Sequence, residues 1–306
     1  MSEILIDTKA QLDALIRETG AVINPPLVKS WYAPYRARQR TDGVERRTGM
    51  AYGSDERQKL DVYLPTAVTV GGRGRRPLIV FMHGGGFIRG DRSERDNVGW
   101  RFAREGFVTV IPSYRLAPAH RWPAGAEDVA SVWAWAHEQA DALEADPSQI
   151  FIVGESAGAA HAAAATLIRR FRHDAVHAPA GVALISGVYN AELEYIARRQ
   201  FGTPTPDPRN DAYFGDDAAS RRQMSTVELI DVPSFPLLIT WAELDPPQMQ
   251  IQAGELFAKL SVRHGFSPDI QVIAGHNHLS QLEAINTVDD QLSSTIIEFL
   301  LRCQRA

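Results

Sequence analysis

Apolar positions fall along this chain in two rhythms. Short runs rich in β-branched and aromatic residues predict strands at Leu60–Leu64, Leu78–Met82, Val108–Ile111, Phe151–Val153, Val182–Ile185, Leu237–Thr240 and Ile270–Ile273, and Arg46–Tyr52 is a further strand candidate ahead of them. Between the later runs, apolar residues three and four apart predict helices near Glu94–Arg104, Ala126–Gln139, Ala157–Arg170, Gln250–Val262 and Gln281–Arg302. Strand and helix in alternation argue for an α/β fold, with a mostly parallel sheet of eight strands covered on both faces. The first two strands have no helix between them, which predicts an antiparallel start.

Two segments stand outside this alternation. Residues 1–40 carry helical spacing at Leu12, Leu15 and Ile16, then at Leu27, Trp31 and Tyr35, with Pro25-Pro26 dividing the two pieces. The segment is too short for a core of its own and must pack on the main body. Trp31, Tyr32 and Tyr35 read as the buried face of a helix, the alternative being the lining of a cleft. Residues 190–232 hold Pro204, Pro206, Pro208 and many charges. They read as an insertion over the carboxyl edge of the sheet, where open α/β folds bind ligands. The expectation is one domain, 1–306, with a small lid contributed by 1–40 and 190–232.

The chemistry begins at Ile150-Phe151-Ile152-Val153-Gly154-Glu155-Ser156-Ala157-Gly158. An apolar strand, a G-x-S-x-G turn and an alanine-rich helix raise a serine hydroxyl on a sharp elbow. A hydroxyl is a poor nucleophile at neutral pH and needs a base from elsewhere in the chain. His83-Gly84-Gly85-Gly86-Phe87 follows the strand Leu78–Met82. Consecutive glycines bring bare N–H groups close to a ligand, as the oxyanion of acyl transfer requires. His83 reads as a residue that fixes this loop. After the strand at 237–240 comes Ala242-Glu243-Leu244-Asp245-Pro246. Asp245, ahead of Glu243, is the expected carboxylate partner of a base; its plain structural alternative is a helix cap. After the last strand, His276 and His278 compete for the base. Their His-x-His spacing also suits a metal, but no third and fourth ligands stand nearby, so neither metal nor cofactor is expected.

Composition narrows the partners. With 32 basic and 37 acidic residues the net charge is -5, which offers no field for nucleic acid. The glycine- and arginine-rich stretch at 71–76 reads as a solvated loop, because no aromatic residues interleave with it. Cys303 is the only cysteine, which excludes an intrachain disulfide. The first residues, Met1-Ser2-Glu3-Ile4, lack the apolar core of a signal peptide, so a cytoplasmic protein without a membrane span is expected. The edge strands and the C-terminal helix are the surfaces on which a homodimer would form.

These motifs together resemble the hormone-sensitive-lipase-like, or bacterial carboxylesterase, branch of the α/β-hydrolases. The His83–Phe87 loop is similar to its oxyanion motif, and Gly154–Gly158 to its nucleophile elbow. Ser113-Tyr114-Arg115-Leu116-Ala117-Pro118, with Trp122-Pro123-Ala124 and Asp128, is similar to a third segment of that branch. Tyr52-Gly53, Leu60–Tyr63 and His278-Leu279-Ser280 look closer to arylformamidase-like and feruloyl- or acetyl-esterase relatives. The resemblance implies an α/β-hydrolase fold and a catalytic Ser156, Asp245 and His278, in the chain order of that fold. It takes His278 over His276 because the base lies three residues after a glycine, here Gly275. It also implies Gly85, Gly86 and Ala157 as oxyanion donors. The implied activity is hydrolysis of short-chain or aryl carboxylic esters. The rivals are amide hydrolysis of the arylformamidase type and a catalytically silent receptor built on the same fold.

Overall fold

The computed structural model describes residues 9–66, 75–172, 176–202, 208–231 and 233–304. The predicted loop at 71–74, His173, Pro204, Pro206, Asp207 and the start at Met1–Ile4 lie outside them. The strands are β1 (Val44–Ala51), β2 (Lys59–Pro65), β3 (Arg76–Met82), β4 (Val108–Pro112), β5 (Ala145–Glu155), β6 (Gly181–Ile185), β7 (Leu237–Leu244) and β8 (Asp269–Asn277). They form one eight-stranded sheet in the order β1-β2-β4-β3-β5-β6-β7-β8. β2 is antiparallel to both neighbours and the remaining pairs are parallel. The antiparallel start and parallel body follow the sequence expectation.

The continuous apolar runs have a simple cause, which is that both faces of the sheet are covered. In β3, Leu78, Val80 and Met82 join one core with the helices α4 (Ala124–Glu138), α5 (Ala157–Leu167) and α10 (Pro247–His264). Ile79 and Phe81 point the other way, into a second core with α3 (Asp96–Arg104) and α12 (Leu292–Cys303). α5 is buried at every position. Its seven alanines among eleven residues let it lie close to the sheet.

The N-terminal segment forms α1 (Lys9–Thr19) and α2 (Pro25–Arg36). Asn24 caps α2 by accepting the Leu27 N–H, and Pro25-Pro26 open that helix, where a missing N–H costs nothing. Trp31 and Tyr32 are buried with Leu12, Ile16, Val28 and Ala284. Between β6 and β7 the described residues form α6 (Ala191–Gln200), α7 (Pro208–Phe214), α8 (Ala218–Gln223) and α9 (Thr226–Leu229).

One expected helix is wrong. The pattern at 281–302 reads as one element, but the structure holds α11 (Ser280–Glu283), a turn, and α12. Asn286 takes φ 66°, which ends helical geometry. Asp290 then accepts the Ser293 N–H and restarts it. Among the described residues, no helix is long and apolar enough to cross a membrane.

Candidate active site

Strand register assembles the site. In β7 and β8, Leu244 lies opposite Asn277, so the next residues, Asp245 and His278, emerge side by side. In β5 and β6, Glu155 lies opposite Ile185, so Ser156 emerges beside Ser186. In β3 and β5, Met82 lies opposite Gly154, which carries the loop after β3 across the elbow.

The elbow is tight and strained. Ser156 sits at φ 51°, ψ −118°, between the last residue of β5 and the first of α5. Such a conformation is unfavourable for a residue with a Cβ and persists only where its surroundings fix it. The two glycines of the motif answer a steric need. A Cβ on Gly158 would lie 2.2 Å from the Met82 carbonyl oxygen, and one on Gly154 would lie 2.5 Å from that of Gly158.

The Ser156 hydroxyl lies 3.1 Å from His278 Nε2. On the other side of the ring, His278 Nδ1 lies 2.7 Å from Asp245 Oδ1. All three side chains line or adjoin one cleft, and Asp245 and His278 are buried. Burial works against the imidazolium, but the Asp245 charge and hydrogen bond outweigh it, so the His278 pKa is raised above the ordinary value. The second Asp245 oxygen accepts the Ala242 N–H at 2.8 Å and the Ser186 hydroxyl proton. Gln281 Nε2 in turn donates to the Ser186 hydroxyl at 2.9 Å. Ser186, at φ 50°, and Gln281 carry no motif, and only the folded register brings them to Asp245.

The competing residues have other partners. Glu243 accepts the Gly275 N–H at 2.7 Å. Asp245 caps no helix, since the residue before α10 is Pro246 and no side chain caps there. The His276 ring turns to the Ser280 hydroxyl at 3.1 Å and toward Asp289 at 3.8 Å. Burial pushes its pKa down. Ser280 does not cap the last helix: its hydroxyl accepts the Asn277 N–H, while the Asn277 side chain caps the turn by accepting from Leu279 and Ser280.

Gly84 packs against the serine. A Cβ on Gly84 would stand 3.2 Å from Ser156 Cβ. Gly85 and Gly86 take φ 142° and 60°, and a Cβ at Gly85 would lie 1.9 Å from the Arg89 carbonyl oxygen. Gly85 therefore requires glycine, and the left-handed backbone at Gly86 favours it. His83 is buried, its pKa is pushed down by that burial to about 4, and its ring stacks on Tyr114 while Nδ1 meets the Gly84 carbonyl at 2.6 Å. It braces the loop as a neutral imidazole. Phe87 stacks on Tyr213 of α7 at 4.6 Å between ring centres.

The cleft is lined by these groups and by residues of both outlying segments. Ile23, Pro25, Val28 and Lys29 come from the N-terminal segment; Glu194, Arg198, Arg209 and Asn210 come from α6 and α7. Val28 and Lys29 reach it in place of the α2 aromatics.

The profile of a protein family described as the alpha/beta hydrolase fold matches residues 79–281 of the 306. The chain belongs to this family. As an α/β-hydrolase it has several named relatives. An ethyl acetate hydrolase of Pseudomonas putida is 38% identical over 81 residues, 26% of this chain and 26% of that protein. The carboxylic ester hydrolase LipN of Mycobacterium tuberculosis is 42% identical over 89 residues, 28% of this chain and 24% of that one. The matched stretches thus span about a quarter of these relatives' lengths. In fold, this α/β-hydrolase is similar to an esterase of Pyrobaculum calidifontis. The two are 22% identical, with a TM-score of 0.72 over 97% of this chain and 99% of that one.

Proposed function

We propose that the protein is a serine carboxylesterase that cleaves short-chain or aryl esters through an acyl-enzyme. The observation that carries the reading is the unbroken chain from the Ser156 hydroxyl through His278 to Asp245, set beside a loop of bare backbone. Named esterases among the relatives support it.

In this reading His278 Nε2 takes the Ser156 proton as Oγ bonds to the carbonyl carbon. The carbonyl oxygen becomes the oxyanion, held by the N–H groups of Gly85, Gly86 and Ala157. His278 then gives the proton to the departing alkoxide. Water repeats the sequence on the acyl-enzyme and releases the acid. Asp245 holds the Nδ1–H tautomer and stabilises the imidazolium. Residues 1–40 and 190–232 act as the lid, and the substrate is a small ester.

The hydrolysis rate should rise with pH through one titration, because only the neutral His278 ring accepts the proton. Its pKa is raised by Asp245, so the midpoint of kcat/KM should lie above the value of about 6.5 for a free histidine. A profile that is flat, or that turns over well below that value, contradicts His278 as the base.

Chain-length preference tests the substrate class. Lys29, Glu94, Arg95, Glu194, Arg198 and Arg209 line the cleft, and a long acyl chain would have to desolvate them. A panel of p-nitrophenyl esters should favour acetate and butyrate over decanoate and palmitate, with no surge on emulsified triglyceride. Aryl esters and formyl-kynurenine in the same panel separate ester from amide preference by kcat/KM. A protein that turns over none of these is the silent receptor.

A further inference from the structure

The loop that carries the oxyanion donors has no side chains between His83 and Phe87 with which to anchor itself. His83 and Phe87 hold its two ends, and between them its position comes from hydrogen bonds to its backbone. One is made by the residue next to the nucleophile: Glu155 Oε1 accepts the Gly84 N–H at 2.7 Å. The same oxygen accepts Arg95 Nε–H at 2.6 Å. Arg95 Nη1 donates to Glu283 Oε1 at 3.1 Å, and Glu283 Oε2 accepts from Arg36 Nη1 at 3.0 Å. Arg36 also pairs with Asp96. Charges therefore alternate along Glu155, Arg95, Glu283, Arg36 and Asp96. The inner members are nearly sealed from solvent, with side-chain exposures of 10% for Arg95, 3% for Glu155 and 6% for Glu283.

This series of charges reaches the elbow, the donor loop and the turn after His278. Glu155 precedes Ser156. Gly84 begins the donor loop. Glu283 ends α11, the turn of helix that follows His278. Arg36 brings in α2. A buried ion chain is by itself weak evidence for stability, since desolvation offsets most of the attraction. Its backbone contact at Gly84 is what a plain structural ion pair would lack.

We propose that Glu155 is a positioning residue for the oxyanion loop. It sets Gly85 and Gly86 through its bond to the Gly84 N–H, and Arg95 and Glu283 fix it in that pose. The proposal rests on the esterase reading, which is tested separately: wild-type protein must hydrolyse p-nitrophenyl acetate and Ser156→Ala must not.

The readout specific to the loop is a trifluoromethyl ketone. Ser156 Oγ adds to its carbonyl carbon, the proton passes to His278, and the carbonyl oxygen becomes an oxyanion in the donor site. Activity is expressed per serine titrated by a fluorophosphonate, so a smaller folded fraction does not distort it. Glu155→Ala should lower kcat by about tenfold to a hundredfold with KM little changed, because misplaced donors fail the transition state more than the ground state. Affinity for the ketone should fall by the same factor. Glu155→Gln keeps an oxygen that can accept the Gly84 N–H, and it should restore most of both. The pair Glu155→Leu with Arg95→Met removes both buried charges together, which avoids an unpaired Arg95, and should show the same loss as Glu155→Ala. The proposal is overturned if these acceptor-less variants keep wild-type kcat and ketone affinity per titrated site. It is equally overturned if kcat falls while ketone affinity is kept, or if Glu155→Gln is as impaired as Glu155→Ala.

Discussion

Ser156→Ala should leave a folded protein with almost no ester turnover. The loss in kcat should be on the order of 10⁵–10⁶, because removing one member of a serine triad disables the whole unit. What survives is transition-state stabilisation by the donor loop and binding, roughly a thousandfold over water. The fold should persist because the hydroxyl contributes little packing and alanine keeps the Cβ that already sits against Gly84. The backbone strain at φ 51° is common to both residues. Steady-state kinetics, a thermal melt and fluorophosphonate labelling check this together. Near wild-type turnover, or labelling that persists in the variant, would sink the serine-hydrolase mechanism.

The second large effect separates two neighbours. His278→Ala should cost several orders of magnitude in kcat, comparable with Ser156→Ala. His276→Ala should cost less than about tenfold in kcat and show its effect in stability instead, about 1–3 kcal/mol. The reason lies in their partners. His278 joins Ser156 and Asp245. His276 is buried beneath the loop, against Ser280 and near Asp289, which also receives the Tyr32 hydroxyl and the Lys9 ammonium. His276→Ala therefore empties a packed polar site that joins α1 and α2 to the end of β8. Measured kcat and melting temperature should move in opposite order for the two variants. A reversal of the kcat losses would move the role of base to His276 while leaving the hydrolase family untouched.

Much of this was legible in the sequence because two physical signals are strong. In the central strands, apolar runs buried on both faces leave no polar alternation to misread; the edge strands β1 and β8 are largely exposed, yet they too appear near their expected places. The elbow announces itself because its geometry tolerates only glycine at 154 and 158. Other features were hidden for equally physical reasons. Periodicity ran through the break between α11 and α12, because Ile285 and Leu292 keep an apolar spacing while the turn depends on Asn286 and Asp290. β5 begins at Ala145, earlier than its apolar run, because Arg76 and Ala145 pair ahead of a shift in register. Ser186, Gln281 and the Glu155–Arg95–Glu283 chain join residues far apart along the polypeptide, and no local spacing can announce such contacts.

The segment between β6 and β7 suggests a division of labour. β6 and β7 are direct neighbours in the sheet, and the segment between them leaves and re-enters the fold without altering their register. Ser156, Asp245 and His278 lie outside that segment, whereas Glu194, Arg198, Arg209 and Asn210 lie within it. The floor of the cleft and part of its roof are thus written in separable stretches of polypeptide. Exchange of residues 190–232 as one cassette should change which molecules the cleft admits, while Ser186, which holds Asp245, stays with the end of β6. Phe87 stacks on Tyr213 and meets Phe214 edge-on, so a transplanted cassette that lacks aromatic rings there would also loosen the loop below it.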